Sequence, residues 1–213
     1  MIVELHNATL TNGGRRLLSD LSLMVRPGCR LAVTGGTAVE RSSFLQVVLG
    51  MRSLDSGWVC FDGEPMPVRS AAYFRRHISY MPRWFDFGDA SVADIERFLQ
   101  RGADKRAASE AGNALCKCLD SLGVPRESVS VSLSEMDSCV AQRAVMALTF
   151  MNRRPIALLD SPTRFQDVQH SKIVADFLSS EWFCGSAMIV STQDPALLSV
   201  CDGVVDLGSA VQQ

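Results

Sequence analysis

The sequence predicts an α/β fold: a parallel sheet with flanking helices, preceded by an antiparallel β section and interrupted by a helical sub-lobe at about 86–140. Three observations carry that expectation. Residues 1–33 read as alternating strands broken by glycine and proline turns. Short apolar runs then alternate with helical patterns, the sign of a parallel sheet covered on both faces. Around 90–122 the period becomes helical, with Val92, Ile95, Phe98 and Leu99, then Ala111, Leu115, Cys118, Leu119 and Leu122.

The elements follow in order. Ile2-Val3-Glu4-Leu5 opens the first strand, and the stretch from Leu17 to Val25 alternates up to the turn Pro27-Gly28. Arg30-Leu31-Ala32-Val33-Thr34 is a short strand that enters Gly35-Gly36, and Ser42 to Leu49 reads as a buried helix closed by Gly50. Strand, glycine turn and helix in that order are the setting a phosphate-binding loop requires, because a helix N-terminus presents unpaired N–H groups to an anion. Gly57 to Gly63 is a strand and turn, and His77 to Met81 is a strand stopped by Pro82. After the sub-lobe, Ala141–Met151 reads as a helix and Pro155–Asp160 as a buried strand ending in an acid. Val168–Ser180 is a helix, Ala187–Thr192 a strand, and Gly203–Leu207 the last strand.

Length and composition set the bounds. A chain of 213 residues suits one domain, 1–213, carrying a sub-lobe. With 47% hydrophobic and 21% charged residues it is neither collagen-like nor disordered. A net charge of −2 gives no broad basic field for nucleic acid, so Arg75-Arg76 and Arg153-Arg154 read as solvated faces. No run approaches the roughly 18–20 apolar residues of a membrane span, and the N-terminus lacks signal-peptide regions. A cytoplasmic placement follows, with any membrane contact made through a partner. The seven scattered cysteines read as reduced apolar fillers. Cys116 and Cys118 are spaced i, i+2 on a helix and so do not share a face for a metal. His6, His77 and His170 read as structural or exposed. Lysine occurs three times, at Lys105, Lys117 and Lys172, so the first 104 residues have none.

Several short stretches, in order, carry a resemblance. They are Leu21-Ser22-Leu23 followed by Pro27-Gly28; Leu49-Gly50 then Asp55-Ser56-Gly57; and Phe61-Asp62-Gly63. Further on come Gln142-Arg143-Ala144-Val145-Met146-Ala147, Leu158-Leu159-Asp160-Ser161-Pro162-Thr163 and Thr192-Gln193-Asp194-Pro195. Together they span nearly the whole chain. The chain resembles the nucleotide-binding subunit of ATP-binding cassette (ABC) transporters and the related cell-division ATPase. A different P-loop enzyme, such as a nucleotide kinase, leaves these residues unexplained. The resemblance implies a P-loop NTPase-type sheet, ATP and Mg²⁺ as cofactors, and a membrane permease subunit or a second cassette as partner, in a homo- or heterodimer. It also implies a peripheral place at the inner face of the membrane.

The positions that carry the chemistry depart from the family pattern G-x-x-x-x-G-K-[ST]. The loop reads Gly35-Gly36-Thr37-Ala38-Val39-Glu40-Arg41-Ser42, followed by Ser43. Glu40 stands where the second glycine belongs and places a carboxylate beside phosphate. Arg41 stands for the lysine and offers a wide fork instead of a compact ammonium. Because no lysine precedes residue 105, no shift of the alignment supplies one. Ser42 and Asp160 match the magnesium positions. Ser161 replaces the glutamate that polarises the attacking water, and Gln193 replaces the switch histidine, so no catalytic residue is intact. Arg83 stands for the glutamine that touches Mg²⁺, and it is expected to pair with a phosphate or with Glu40. Asn12 stands where an aromatic stacks on adenine. The signature segment falls at Met136-Asp137-Ser138-Cys139-Val140, with both of its glycines replaced. Asp167 matches the loop after the acidic strand. The resemblance thus implies a cassette with weak or lost ATPase activity; its alternative is a divergent ATPase that still drives a membrane partner. Trp84, Phe85 and Phe87 follow Arg83, where the family meets its membrane subunit, and suit either docking or core packing.

Overall fold

Alternation at the N-terminus builds the first sheet. In the computed structural model, which describes residues 1–66, 71–102 and 104–207, β1 (Val3–Asn12) pairs antiparallel with β2 (Arg15–Val25). It pairs on its other side with β4 (Ser56–Phe61), which turns through Asp62-Gly63 into the two-residue β5 (Glu64–Pro65). Val3, Leu5, Ala8 and Leu10 face inward, and the order is β2-β1-β4-β5.

The second sheet is parallel throughout, in the order β6-β7-β8-β3-β9. Its strands are β3 (Arg30–Thr34), β6 (Ile78–Met81), β7 (Ile156–Asp160), β8 (Ala187–Ser191) and β9 (Gly203–Asp206). All five residues of β7 and of β8 are buried, as strands covered on both faces must be. Side-chain alternation splits β7 between two cores. Ile156 and Leu158 join Phe44, Leu45, Val47 and Val48 of α1 (Ala38–Val48) and the inner face of the first sheet. Ala157 and Leu159 join α5 (Ser138–Phe150) and α6 (Val168–Ser179) on the other side.

Short α2 (Ala71–Arg75) leads into β6. After β6 the chain forms α3 (Val92–Leu99) and α4 (Lys105–Ser121), then a 3-10 turn at Arg126–Ser130. Leu115, Cys118, Leu119 and Leu122 line the inner face of this section, while Cys116 is exposed. A four-residue turn, α7 (Pro195–Leu198), lies between β8 and β9. No helix among the described residues is long and apolar enough to cross a membrane. The expected domain's last stretch, 208–213, lies outside the described residues.

Two helices begin earlier than the sequence predicts, each for a local reason. α1 starts at Ala38 instead of Ser42 because Thr37 and Glu40 form a capping box. α5 starts at Ser138 instead of Ala141 because the Asp137 carboxylate accepts from the Cys139 amide at 2.9 Å. The paired arginines are also not simple solvated faces. Arg154 reaches the Arg75 and Arg76 carbonyls, Arg75 reaches the Leu49 carbonyl, and Arg153 stacks on Trp182 at 3.9 Å.

Candidate functional site

The carboxyl ends of the neighbouring strands β7, β8 and β3 lie side by side, so Gly35–Ser43, Asp160-Ser161 and Thr192-Gln193 all leave the parallel sheet at the same end. Gly35 and Gly36 have φ of 68° and 55°, which carries the chain from strand to helix. The turn between them and the helix is short. Thr37 is the N-cap, and Ala38, Val39 and Glu40 already form the first helical turn.

Glu40 closes this turn on itself. Its Oε2 accepts from the Thr37 amide at 2.5 Å, and the Thr37 hydroxyl accepts from the Glu40 amide at 3.3 Å. The carboxylate lies so near Gly36 that a Cβ there would meet it at 2.6 Å. Arg15 adds an ion pair at 3.5 Å. The Thr37 amide is the main reason that the Glu40 carboxyl sits below its usual value; burial opposes it, and Arg15 and Arg41 assist. The expectation that Arg83 pairs with Glu40 is corrected: Arg15, from the start of β2, holds that place.

Arg41 turns back on the loop. Its Nη1 donates to the carbonyls of Gly35 at 2.9 Å and Gly36 at 3.1 Å, and the residue is 6% exposed. Burial lowers its basicity, opposed by nearby Asp160. The Ser42 hydroxyl lies 2.5 Å from Asp160 Oδ2 and 2.9 Å from the Ala38 carbonyl, and its single proton serves one of them at a time. Ser43 is buried and joins the Val39 carbonyl and Arg52, which also bonds Asn12.

Asp160 ends β7 almost fully buried, with Ser161 Oγ at 3.2 Å from its other oxygen. Burial first, then Asp160, pushes the nearby Tyr80 hydroxyl up to about 12. Ser161 sits at φ 54°, a conformation a non-glycine residue adopts at a cost of roughly 1 kcal/mol. Gln193 is exposed. Neither Ser161 nor Gln193 can accept a proton from water at neutral pH.

Nor do the loop residues fit a triphosphate in this arrangement. The Thr37 N–H that would meet an anion already meets a carboxylate. The guanidinium that would reach phosphate oxygens is spent on backbone carbonyls. The Ser42–Asp160 pair keeps the oxygen donors a divalent cation uses, joined to each other by a hydrogen bond.

A buried polar network, not foreseen from the sequence, fixes the neighbouring segment. Gln166 Oε1 accepts from Arg143 Nη1 at 2.7 Å and from the Cys139 thiol at 3.0 Å. Its Nε2 donates to the Cys139 carbonyl and to Gln142 Oε1. Gln142 Nε2 donates to the Ser161 carbonyl, and its Oε1 accepts from the Phe165 amide. The network ties the start of α5, where the signature segment falls, to the loop after β7. Asp167 follows as the N-cap of α6 and also holds His170. The sequence signals neither Arg15 nor Gln166, because their partners lie 25 and 23 or more residues away. His6 contacts Glu4 and stacks on Trp58, and His77 meets the edge of Tyr73. Trp84 and Phe87 are exposed, whereas Phe85 packs against the core.

Comparison with known proteins agrees with this fold. The chain is 24% identical over 190 residues to the Nod factor export ATP-binding protein I of Burkholderia lata, covering 89% of this chain and 62% of that protein. It thus spans about three fifths of that relative's length. It is 23% identical to the intermembrane phospholipid transport system ATP-binding protein MlaF of Escherichia coli K12, covering 94% of this chain and 77% of MlaF. Its fold matches the dimeric structure of MJ0796, a bacterial ABC transporter cassette, with a TM-score of 0.80 at 19% identity, over 97% of this chain and 95% of that one. The family model described as ABC transporter matches residues 18–164. Because that match takes in well over half of the 213 residues, the chain belongs to the ABC transporter ATP-binding cassette family.

Proposed function

We propose that this chain is the cassette subunit of a membrane transport or membrane-associated complex, with a degenerate nucleotide site of its own. The closed phosphate loop carries this reading: Glu40 occupies the Thr37 amide, and Arg41 occupies the carbonyls of Gly35 and Gly36. The residues matching the cofactor positions are Gly35 to Ser43, with Ser42 and Asp160 for the metal. They form a structural cap in place of a phosphate cradle. With Ser161 and Gln193 at the catalytic positions, hydrolysis lacks a base. The chain then serves its complex as a scaffold or regulator on a permease or a second cassette. The relatives' names speak of export and of phospholipid transport, and one is called a probable ABC transporter ATP-binding/permease protein. Such a partner would hold this chain at the inner face of the membrane.

A second reading, a divergent ATPase, draws support from the Ser42–Asp160 pair. Calorimetric titration with MgATP separates the two. The first reading expects no saturable binding in the micromolar range; micromolar binding by the native chain overturns it. The double variant Glu40→Gly with Arg41→Lys should gain affinity, and a lack of gain counts against this loop as the phosphate position.

A further inference from the structure

Three guanidinium groups gather between the loop and the segment after β6. Arg83 lies close enough to act electrostatically on both Arg41 and Arg164. Among the described residues no carboxylate forms an ion pair with any of the three. Asp160 acts on Arg41 from a distance, and its oxygens already have Ser42 and Ser161 as partners. Arg164 is stacked 3.3 Å from the ring centre of Trp84. That contact satisfies the face of the guanidinium and fixes its positive charge next to Trp84. Nε of Arg83 and Nη1 of Arg164 are sealed from solvent with no acceptor. These sealed atoms do not themselves reach into an open cavity, but the guanidinium charge they belong to lies beside it, and surplus positive charge without a carboxylate favours an anion.

Beside them is a cavity of about 190 Å³ lined by Arg83, Trp84, Phe85, Leu133, Met136 and Phe165. Its walls are aromatic and aliphatic, with the Arg83 guanidinium and the Ser134 and Ser138 side chains among them. An apolar cavity of roughly 150 Å³ is enough for a benzene ring. At the rim, Ser134 contacts Asp89 at 3.3 Å, so that hydroxyl is already engaged. A pocket with aromatic and aliphatic walls and a few convergent polar groups is the usual build of a small-molecule site.

We propose that this cavity binds a small organic anion, a carboxylate or phosphate carried on a ring or short apolar body. The anionic group meets Arg83, and the body lies among Trp84, Leu133 and Phe165. This cavity lies beside the phosphate loop, not within it, and shares with the nucleotide positions Arg83 and the start of the signature segment.

The test is calorimetric titration of the whole chain with phenyl phosphate and with benzoate, beside neutral benzyl alcohol and inorganic phosphate. The expected result is saturable binding of at least one organic anion with a Kd of about 1 mM or tighter, with benzyl alcohol and inorganic phosphate each at least about tenfold weaker. Arg83→Met should weaken the anion about tenfold or more, since it removes the charge and keeps the length. Leu133→Phe should abolish binding by filling the cavity. Arg83 is partly exposed, so its variant keeps the proposal testable even if the Leu133 variant fails to fold. Any of four results overturns the proposal: no saturable binding of either organic anion, equal binding of benzyl alcohol or of inorganic phosphate, unchanged binding in Arg83→Met, or retained binding in a folded Leu133→Phe. The last would place the anion elsewhere, such as at residues 35–43.

Discussion

Replacing Glu40 by alanine removes the carboxylate that closes the start of α1. The charge-assisted bond from the Thr37 amide, once lost, leaves that donor without its partner, a loss of about 1.5–3 kcal/mol. The Arg15 pair adds at most about 0.5 kcal/mol, because Arg15 is 54% exposed and screened by water. Alanine's better helix propensity returns a few tenths, about 0.3 kcal/mol. The net destabilisation is about 2 kcal/mol, which for a chain of this size lowers Tm by about 4–8 °C. Circular-dichroism melts and urea titrations measure it. The pH dependence gives a second reading. The folded carboxyl lies below the ordinary value of 4.5, so its contribution is complete above that pH. As pH falls below 4.5 towards the folded value, the unfolded chain takes up the proton first and the contribution disappears. The gap between native and Glu40→Ala should therefore be constant near neutrality and narrow in acid. An unchanged Tm at neutral pH, or a gap that does not narrow in acid, refutes the closed-loop argument.

Two further predictions concern the frame around the site. Gly57→Ala should cost more than about 3 kcal/mol in a urea titration, because its Cβ would meet the His6 and Asn7 carbonyls at 2.3 and 2.4 Å at a φ of +83°. Gly63→Ala, at φ +77° with nothing within 4 Å, should cost only about 1–2 kcal/mol, and equal losses would refute the overlap argument. Gln166→Leu should destabilise by about 2–3 kcal/mol, because it leaves the buried Arg143 guanidinium with only the Cys139 sulfur as acceptor. A melt within a degree of native would remove the network from the list of stabilising features.

Two inner strands of the parallel sheet were legible because burial on both faces leaves near-continuous apolar runs: Ile156–Asp160 and Ala187–Ser191, polar only at their last residues, follow directly. Helix starts were less legible. An apolar pattern marks only where a helix begins to pack, so Ser42 and Ala141 read as starts. The caps at Thr37 and Asp137 set the true ones. Within the site, the resemblance to the family, laid over the order of strands and turns, located Gly35, Ser42, Asp160 and Ser161. What closes the loop was not legible. The Thr37–Glu40 box is a local pattern, but it competes with the reading of those residues as a phosphate loop. Arg15 and Gln166 act across the fold, and nothing in their local sequence marks them.

The polar network around Gln166 has a mechanical consequence. It sews the beginning of α5 to the loop after β7 by side chains that bond one another and the backbone. Neither segment can shift without stripping partners from Gln142 and Arg143, which are 1% and 3% exposed. The two segments are therefore tied together, and a displacement of the first turn of α5 is passed through Gln142 to the carbonyl of Ser161, the residue next to Asp160.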